Sequence, residues 1–195
     1  MNIDYFISTL CFNANTKIFY GETHLWCKLI YYLVPILVTL TVAITIILLI
    51  ITIISDKFKP QLKKQLIIIL LSLAIGPGLI VNTILKNTWG RPRPYQVLRD
   101  GAKFHQFYQV DLFNKQNNSF PSGHASIGFF LGSILLIFKR HKSAIAIMVL
   151  LGGIIGLVRI LQGGHYLSDV IFSGIIVWSV TSILIYSFAF KDKLR

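Results

Sequence analysis

Charge is what this chain has least of, and acidic charge least of all. Of its 195 residues only 13% are charged, with 7 Asp plus Glu against 19 Lys plus Arg. A soluble domain carries about 25% charged residues, so a surface that faces water all round is excluded. Cysteine is nearly missing too: Cys11 and Cys27 are the only two, with no CxxC and no Cys/His cluster. No zinc or iron–sulfur ligand set exists in such a sequence, so no metal site and no cofactor are expected. Both thiols precede the first long apolar run and would pair only in an oxidising compartment; two free thiols are the expectation. The N-terminus lacks a basic stretch followed by a short apolar core, so a cleaved signal peptide is not expected. Internal repeats and low-complexity segments are missing as well.

What the chain does have is apolar length. Hydrophobic residues make up 54% of it, and the mean hydropathy is +0.69. Runs able to cross a bilayer need about 20 residues, and five segments meet or approach that: 29–55, 65–85, 119–138, 143–162 and 166–190. The first contains no charge but holds Pro35, which should kink it or mark its entry. Gly76-Pro77-Gly78 should interrupt the second. Ahead of the first span, Ile3, Phe6, Ile7 and Leu10 recur at helical spacing, the pattern of a short amphipathic helix at the membrane interface. The fold expected is an all-α integral membrane helical bundle, residues 1–195 forming one domain of about five transmembrane helices plus that N-terminal interfacial helix.

A net charge of +12 often signals nucleic acid, but here the basic residues sit between apolar runs. There they set orientation, and DNA or RNA binding is not expected. The loop at 56–64, the KRHK loop at 139–142 and the tail at 191–195 alternate correctly to share one side of the membrane. All are basic, which makes that side cytoplasmic. The N-terminal segment, the long loop 86–118 with Phe104, Phe107, Tyr108 and Phe113, and the turn 159–165 then share the opposite side.

Three polar clusters fall on that extracytoplasmic edge. Lys86 to Pro94 follows the second span, Pro121-Ser122-Gly123-His124 opens the third, and RILQGGHYLSD from Arg159 to Asp169 joins the last two. Ionisable residues at a lipid boundary are costly, so a functional site is the default reading. Taken one at a time the pieces have plainer explanations. Lys86 and Arg91 suit snorkelling anchors, Pro121 to Gly123 a helix start, His124 an interhelical hydrogen-bonding histidine, and Arg159 to Asp169 a helix boundary with an ion pair. Their arrival on one face is what those explanations leave out. Chemically the set suits phosphate: Lys86, Arg93 and Arg159 bring positive charge, and Ser122 and Gly123 can aim a hydroxyl and backbone N–H groups at an anion from a helix N-terminus. His124 and His165 offer a nucleophile and an acid, and His165 and Asp169, four apart, lie within reach of each other.

The three clusters resemble the type 2 phosphatidic acid phosphatase family, which is related to the vanadium-dependent haloperoxidases. That family's pattern is K-x6-RP, PSGH and SR-x5-H-x3-D. Here it reads Lys86 with Arg93-Pro94, then Pro121 to His124, then Arg159 with His165 and Asp169. The departure is Val158, where the pattern has serine, so one hydrogen bond near the phosphate is expected to be missing. Arg91-Pro92 duplicates the RP dipeptide, but only Arg93 has the required spacing, which leaves Arg91 a secondary candidate. The family often has six spans, against five here.

The resemblance implies a metal-independent phosphoric monoester hydrolase. His165 would attack phosphorus to give a phosphohistidine, Asp169 would hold the imidazole in the right tautomer, and His124 would protonate the leaving oxygen and later activate water. Lys86, Arg93, Ser122, Gly123 and Arg159 would bind the phosphoryl oxygens. The partner implied is a phosphorylated membrane lipid, met at the periplasmic face of a bacterial inner membrane. The N-terminal segment looks similar to that of bacterial members acting on lipid A, which favours a lipid A 4′-phosphatase. Undecaprenyl pyrophosphate or phosphatidylglycerol phosphate hydrolysis, lipid phosphotransfer, and non-catalytic anion binding are the competing expectations. Nothing in the sequence speaks to oligomeric state.

Overall fold

The computed structural model describes residues 2–55, 60–112, 114, 116–138 and 141–193. Lys57, Lys59, Lys139, Arg140 and the last two residues, part of the basic loops and tail that set the expected orientation, lie outside the described residues, as does Phe113. Helix α1 (Ile3–Leu10) is started by Asn2, whose side-chain oxygen accepts from the Asp4 and Tyr5 amides. A two-residue antiparallel ribbon follows, β1 (Phe12–Asn13) with β2 (Ile18–Phe19), and then a single turn, α2 (Tyr20–Thr23).

Helix α3 (Leu25–Ile54) runs 30 residues and keeps almost all of its side chains on the outside. Pro35 sits within it without ending it. Helix α4 (Pro60–Leu73) continues directly into a π-helical stretch, Ala74–Leu85, and ends in α5 (Lys86–Thr88). The expected interruption at Gly76-Pro77-Gly78 is therefore a widening of the helix. Pro77 has no N–H to give, and the stretch shifts to wider turns, with Asn82 Nδ2 donating to the Pro77 carbonyl at 2.8 Å and Thr83 Oγ1 to that of Gly78 at 3.1 Å. Such bulges occur often at functional sites; this one delivers Lys86 to the end of the bundle.

After the short α6 (Pro94–Leu98) come α7 (Gly123–Ile137), α8 (His141–Leu161) and α9 (Leu167–Lys193). Among the described residues four helical segments are long and apolar enough to span a bilayer: Leu25–Ile54, Pro60–Thr88, Ser143–Leu161 and Leu167–Ala189. The expected span at 119–138 is shorter. Its helix has 15 residues, about 22 Å at 1.5 Å per residue. Residues 119–122 are instead drawn into the polar end, where the Ser119 amide donates to the Arg91 carbonyl at 2.9 Å and the Ser122 amide to that of Asp169 at 3.2 Å. The chain is thus an integral membrane helical bundle.

Helix α7 is the hub, packed against α8 and α9. Its glycines permit the approach: a Cβ on Gly128 would stand 2.7 Å from the Leu151 carbonyl oxygen, the small-residue contact that lets membrane helices meet closely. Leu66, Ile68, Ile69, Phe130, Ile137 and Val177 form one buried cluster between α4, α7 and α9. Val34, Ile127 and Ile155 form another beneath α3. Outward-facing Ile44, Ile47, Val149, Leu157, Ile175 and Ile183 are exposed, as lipid-facing positions are. A Gly128→Leu variant should lose about 1–3 kcal/mol through overpacking, read as a lower unfolding midpoint in detergent. Gly153→Leu, with nothing within 4 Å of its added Cβ, should leave that midpoint unchanged.

Candidate active site

The three polar clusters, distant in sequence, meet at one end of the bundle: the Arg91 side chain joins the first to the third, and the Ser122 amide joins the second to the third. Arg91 is fully buried and each of its nitrogens has a partner. Nη1 donates to Asp169 Oδ1 at 2.5 Å and to Ser168 Oγ at 2.8 Å, Nη2 to Asp4 Oδ2 at 2.9 Å, and Nε to the His105 carbonyl at 3.0 Å. The guanidinium lies over the Tyr166 ring, 4.2 Å from its centroid. The secondary candidate of the two RP arginines is therefore a packing centre with no donor turned to a ligand.

Arg93, two residues on, does the reverse. Its Nε donates to Asn118 Oδ1 at 2.9 Å, and the residue lines a cavity of about 450 Å³ with Arg159, Tyr31, Tyr32, Tyr95 and Gln162. Arg159 Nη1 donates to Gln162 Oε1 at 2.5 Å, while its buried Nε has no partner among the described residues. Lys28 and Arg99 add positive charge to the cavity wall, partly offset by Glu22, which Arg99 meets at 3.2 Å. Lys86, Arg93 and Arg159 lie within electrostatic reach of one another and of His124. A cavity with an unspent arginine donor and this excess of cations suits an oxyanion.

The turn after α8 explains its two glycines. Gly163 has φ +63, a helix-ending conformation that an L side chain resists, and its carbonyl accepts from the Tyr95 amide at 3.1 Å. Gly164 is packed against the guanidinium of Arg159, where a Cβ would collide with Nη2. Small residues at 163 and 164 thus seat Arg159 and turn the chain into His165.

His165 is 1% exposed. Its Nδ1 lies 2.6 Å from the Ser119 carbonyl oxygen and 3.6 Å from Asp169 Oδ2. The carbonyl can only accept, so Nδ1 carries the hydrogen and Nε2 keeps its lone pair. The Ser119 carbonyl thus shares with Asp169 the orientation of the ring, and Asp169 stands behind the ring as the negative charge expected of it. Burial pushes the His165 imidazole down to about 3, with Arg159 and Lys86 adding to that and Asp169 opposing it. It is neutral at physiological pH and its lone pair is available. Asp169 is itself fixed by Arg91, by Ser119 Oγ at 2.6 Å and by the Tyr166 amide at 2.8 Å.

Ser122 caps α7, its Oγ accepting from the Ala125 amide at 3.4 Å. Since its own amide is spent on Asp169, the first N–H groups without an intrahelical acceptor belong to Gly123 and His124. Gly123 lies hard against Asn82. The His124 ring stacks on Tyr31, centroids 4.4 Å apart, and Arg159 sits over the same ring at 4.8 Å. Tyr31 was not singled out from the sequence; an aromatic one turn into an apolar span carries no distinguishing signal. Asp4 and Ser119 were missed for the same reason. Val158, at the serine position of the pattern, is fully buried. Among the described residues no group of three or more His, Cys, Asp or Glu side chains is arranged to hold a metal ion, and Cys11 and Cys27 are both free.

A buried polar cluster of histidines, arginines and an aspartate at one end of a helical membrane bundle is the class of protein that the fold and site define. The model of the PAP2 superfamily matches residues 65–193, more than half of the chain. The protein belongs to that superfamily. A lipid A 4′-phosphatase of Francisella tularensis subsp. novicida (strain U112) is 40% identical over 143 residues, covering 71% of this chain and 64% of that protein. A lipid A 4′-phosphatase of Rhizobium leguminosarum is 36% identical over 118 residues, 58% and 51% of the two chains. A lipid A 1-phosphatase of Rhizobium etli (strain ATCC 51251 / DSM 11541 / JCM 21823 / NBRC 15573 / CFN 42) is 36% identical over 105 residues, 52% and 41%. The chain spans less than two thirds of the length of these curated relatives. No solved structure matches it.

The two neighbouring arginines should separate cleanly on substitution. Arg91→Gln strands two buried carboxylates, and such a loss costs about 3–5 kcal/mol, visible as a collapse of folded yield after detergent extraction. Arg93→Gln should keep the wild-type unfolding midpoint and lose binding of inorganic phosphate, measured by calorimetry.

Proposed function

We propose that this protein is a lipid phosphatase that removes a phosphate from a lipid headgroup through a phosphohistidine on His165, with lipid A as substrate and the 4′ position as the bond attacked. The observation that carries the reading is the buried, neutral His165, its Nδ1 hydrogen held by the Ser119 carbonyl at 2.6 Å and its Nε2 lone pair left free. An imidazole so fixed is prepared to attack, and the relatives' names supply the substrate class.

In this reaction Nε2 of His165 forms a bond to phosphorus as the bond from phosphorus to the leaving lipid oxygen breaks, and His124, taking the proton of the phosphate monoester monoanion, passes it to that oxygen. Arg93, Arg159 and Lys86 balance the charge on the phosphoryl oxygens, with the hydroxyl of Ser122 and the amide of Gly123 at the start of α7. Asp169 offsets the positive charge that the ring gains on attack. Water then attacks phosphorus, its proton passes to His124, the nitrogen–phosphorus bond breaks and inorganic phosphate leaves. The apolar helices keep the tails of the lipid in the bilayer while its headgroup reaches the cavity. We place the site on the periplasmic side of the bacterial inner membrane, from the positive-inside rule applied to the basic loops of the sequence.

Purified protein given lipid A labelled at either phosphate should release the 4′ phosphate. Release of the 1-phosphate instead moves the assignment toward the 1-phosphatase relative. His165→Ala should lower turnover by roughly 10⁴-fold while the protein stays folded in membranes; wild-type-like turnover would sink the assignment. For sidedness, cysteine substituted at Gln109 should react with a membrane-impermeant reagent added to intact cells from outside. Labelling from the cytoplasmic side alone would reverse the orientation.

A further inference from the structure

Asp4 is a buried carboxylate that the reaction above does not use. It lies on α1, outside residues 65–193 that the superfamily model matches, and is 2% exposed. It accepts three hydrogen bonds: from Arg91 Nη2 at 2.9 Å, from the Ser168 amide at 2.9 Å and from Ser168 Oγ at 2.5 Å. Helix α1 is pinned where it delivers this group. Asn2 bonds to Gln106, and Ile7 and Cys11 pack on the cluster of Ala125, Ile160 and Val170.

Arg91 is thereby shared between two carboxylates, Asp4 on one side and Asp169 on the other, with all three side chains 3% exposed or less. An arginine paired with Asp169 alone would neutralise it. The ring of His165, 3.6 Å from Asp169 Oδ2, would then face a dipole. With Asp4 present, two carboxylates against one guanidinium leave the group with one net negative charge. Buried charges interact far more strongly than solvated ones, so the difference is felt at the ring. The other charged groups that act on His165, Arg159 from α8 and Lys86 from α5, are both positive. They suit the phosphoryl oxygens and oppose a cationic ring.

We propose that Asp4 is a positioning residue for His165. By drawing on the charge of Arg91 it leaves Asp169 a net anion, and so stabilises the positive imidazole that forms when Nε2 bonds to an oxyanion centre. The N-terminal helix thus supplies part of the electrostatics of the site. The inference rests on His165 as the nucleophile of the proposed function, but its test does not require turnover.

Orthovanadate is the probe, because it can add to a nucleophilic nitrogen and reproduce the charged ring–oxyanion adduct, whereas inorganic phosphate occupies the cavity without bonding. Transition-state mimics bind more tightly than ground-state ligands by virtue of such charge development. Calorimetric titration of the detergent-solubilised full chain should show Asp4→Asn binding vanadate about tenfold or more weakly, with phosphate affinity changed by less than about threefold. Asp4→Glu, which keeps the charge and strains the fit, should bind vanadate more tightly than Asp4→Asn, which keeps the shape. A role in packing alone predicts the opposite order. Wild-type vanadate affinity in Asp4→Asn, an equal loss for phosphate, Asp4→Glu weaker than Asp4→Asn, or no vanadate binding by the wild-type protein would each overturn the inference. Failure of the wild-type protein to release phosphate from any lipid, with the vanadate ratios as expected, strikes the proposed function and leaves the role of Asp4 in place.

Discussion

The polar end of this bundle depends on one buried guanidinium. A charged group withdrawn from water costs several kcal/mol unless partners replace the lost hydration, and Arg91 is fully enclosed. Its three nitrogens find their four hydrogen bonds only if Asp4, Ser168, Asp169 and the carbonyl of His105 arrive together. Those groups belong to α1, to the loop after α6 and to the start of α9. Burying Arg91 therefore fixes three separate parts of the chain against one another. The aromatic lining adds to this: Tyr166 and Phe104 flank the guanidinium, and the Tyr5 ring meets Phe104 edge-on at 5.5 Å.

Built on that centre, the site divides into a dry half and an open half. Arg91, Asp169 and Ser119 form the dry half, where each side chain has its partners within the protein. Arg93, Arg159, Gln162 and Tyr31 form the open half around the cavity. His165 joins the dry half through Nδ1 and meets the open half only as the charge of Arg159 acting on its ring. Its Nδ1 is held in the dry network and its other nitrogen is not, which is the arrangement a nucleophile needs: one face committed to orientation, the other uncommitted. The glycine pair ahead of it serves the same end, since Gly163 ends α8 and Gly164 leaves room for the Arg159 guanidinium. Helix packing below makes the rigid floor. Close contact of α7 with α8 through small residues holds the start of α7, and with it Ser122 and His124, at a fixed height.

Much of this was legible in the residues. Long uncharged runs have one physical solution in a bilayer, because backbone groups must be satisfied inside each segment, so the helical spans followed from hydropathy. Spacing set Arg93 apart from Arg91, and of the two it is Arg93 that lines the cavity. The positions of Lys86, His124, Arg159, His165 and Asp169 at one end followed from span parity. What failed was local: the expected span from 119 to 138 is helical only from Gly123. Hydropathy counts apolar side chains and is blind to backbone amides, and here the amides of Ser119 and Ser122 bond across to Arg91 and Asp169.

The sequence by itself determined that the chain lives in lipid, which residues bear the superfamily's pattern, and that span parity brings them to one end of the bundle. These are properties of composition, period and order, which a linear string carries. Only the tertiary structure decided that Ser119, by its carbonyl, shares with Asp169 the orientation of the His165 ring, that Asp4 shares Arg91 with Asp169, and that Tyr31 lies between His124 and Arg159. Each of those contacts joins residues dozens of positions apart through a carbonyl, a carboxylate or a ring whose own neighbourhood in sequence is unremarkable. Their roles come from which groups are left unpaired when a charge is buried, and that is settled only once the chain has closed around it.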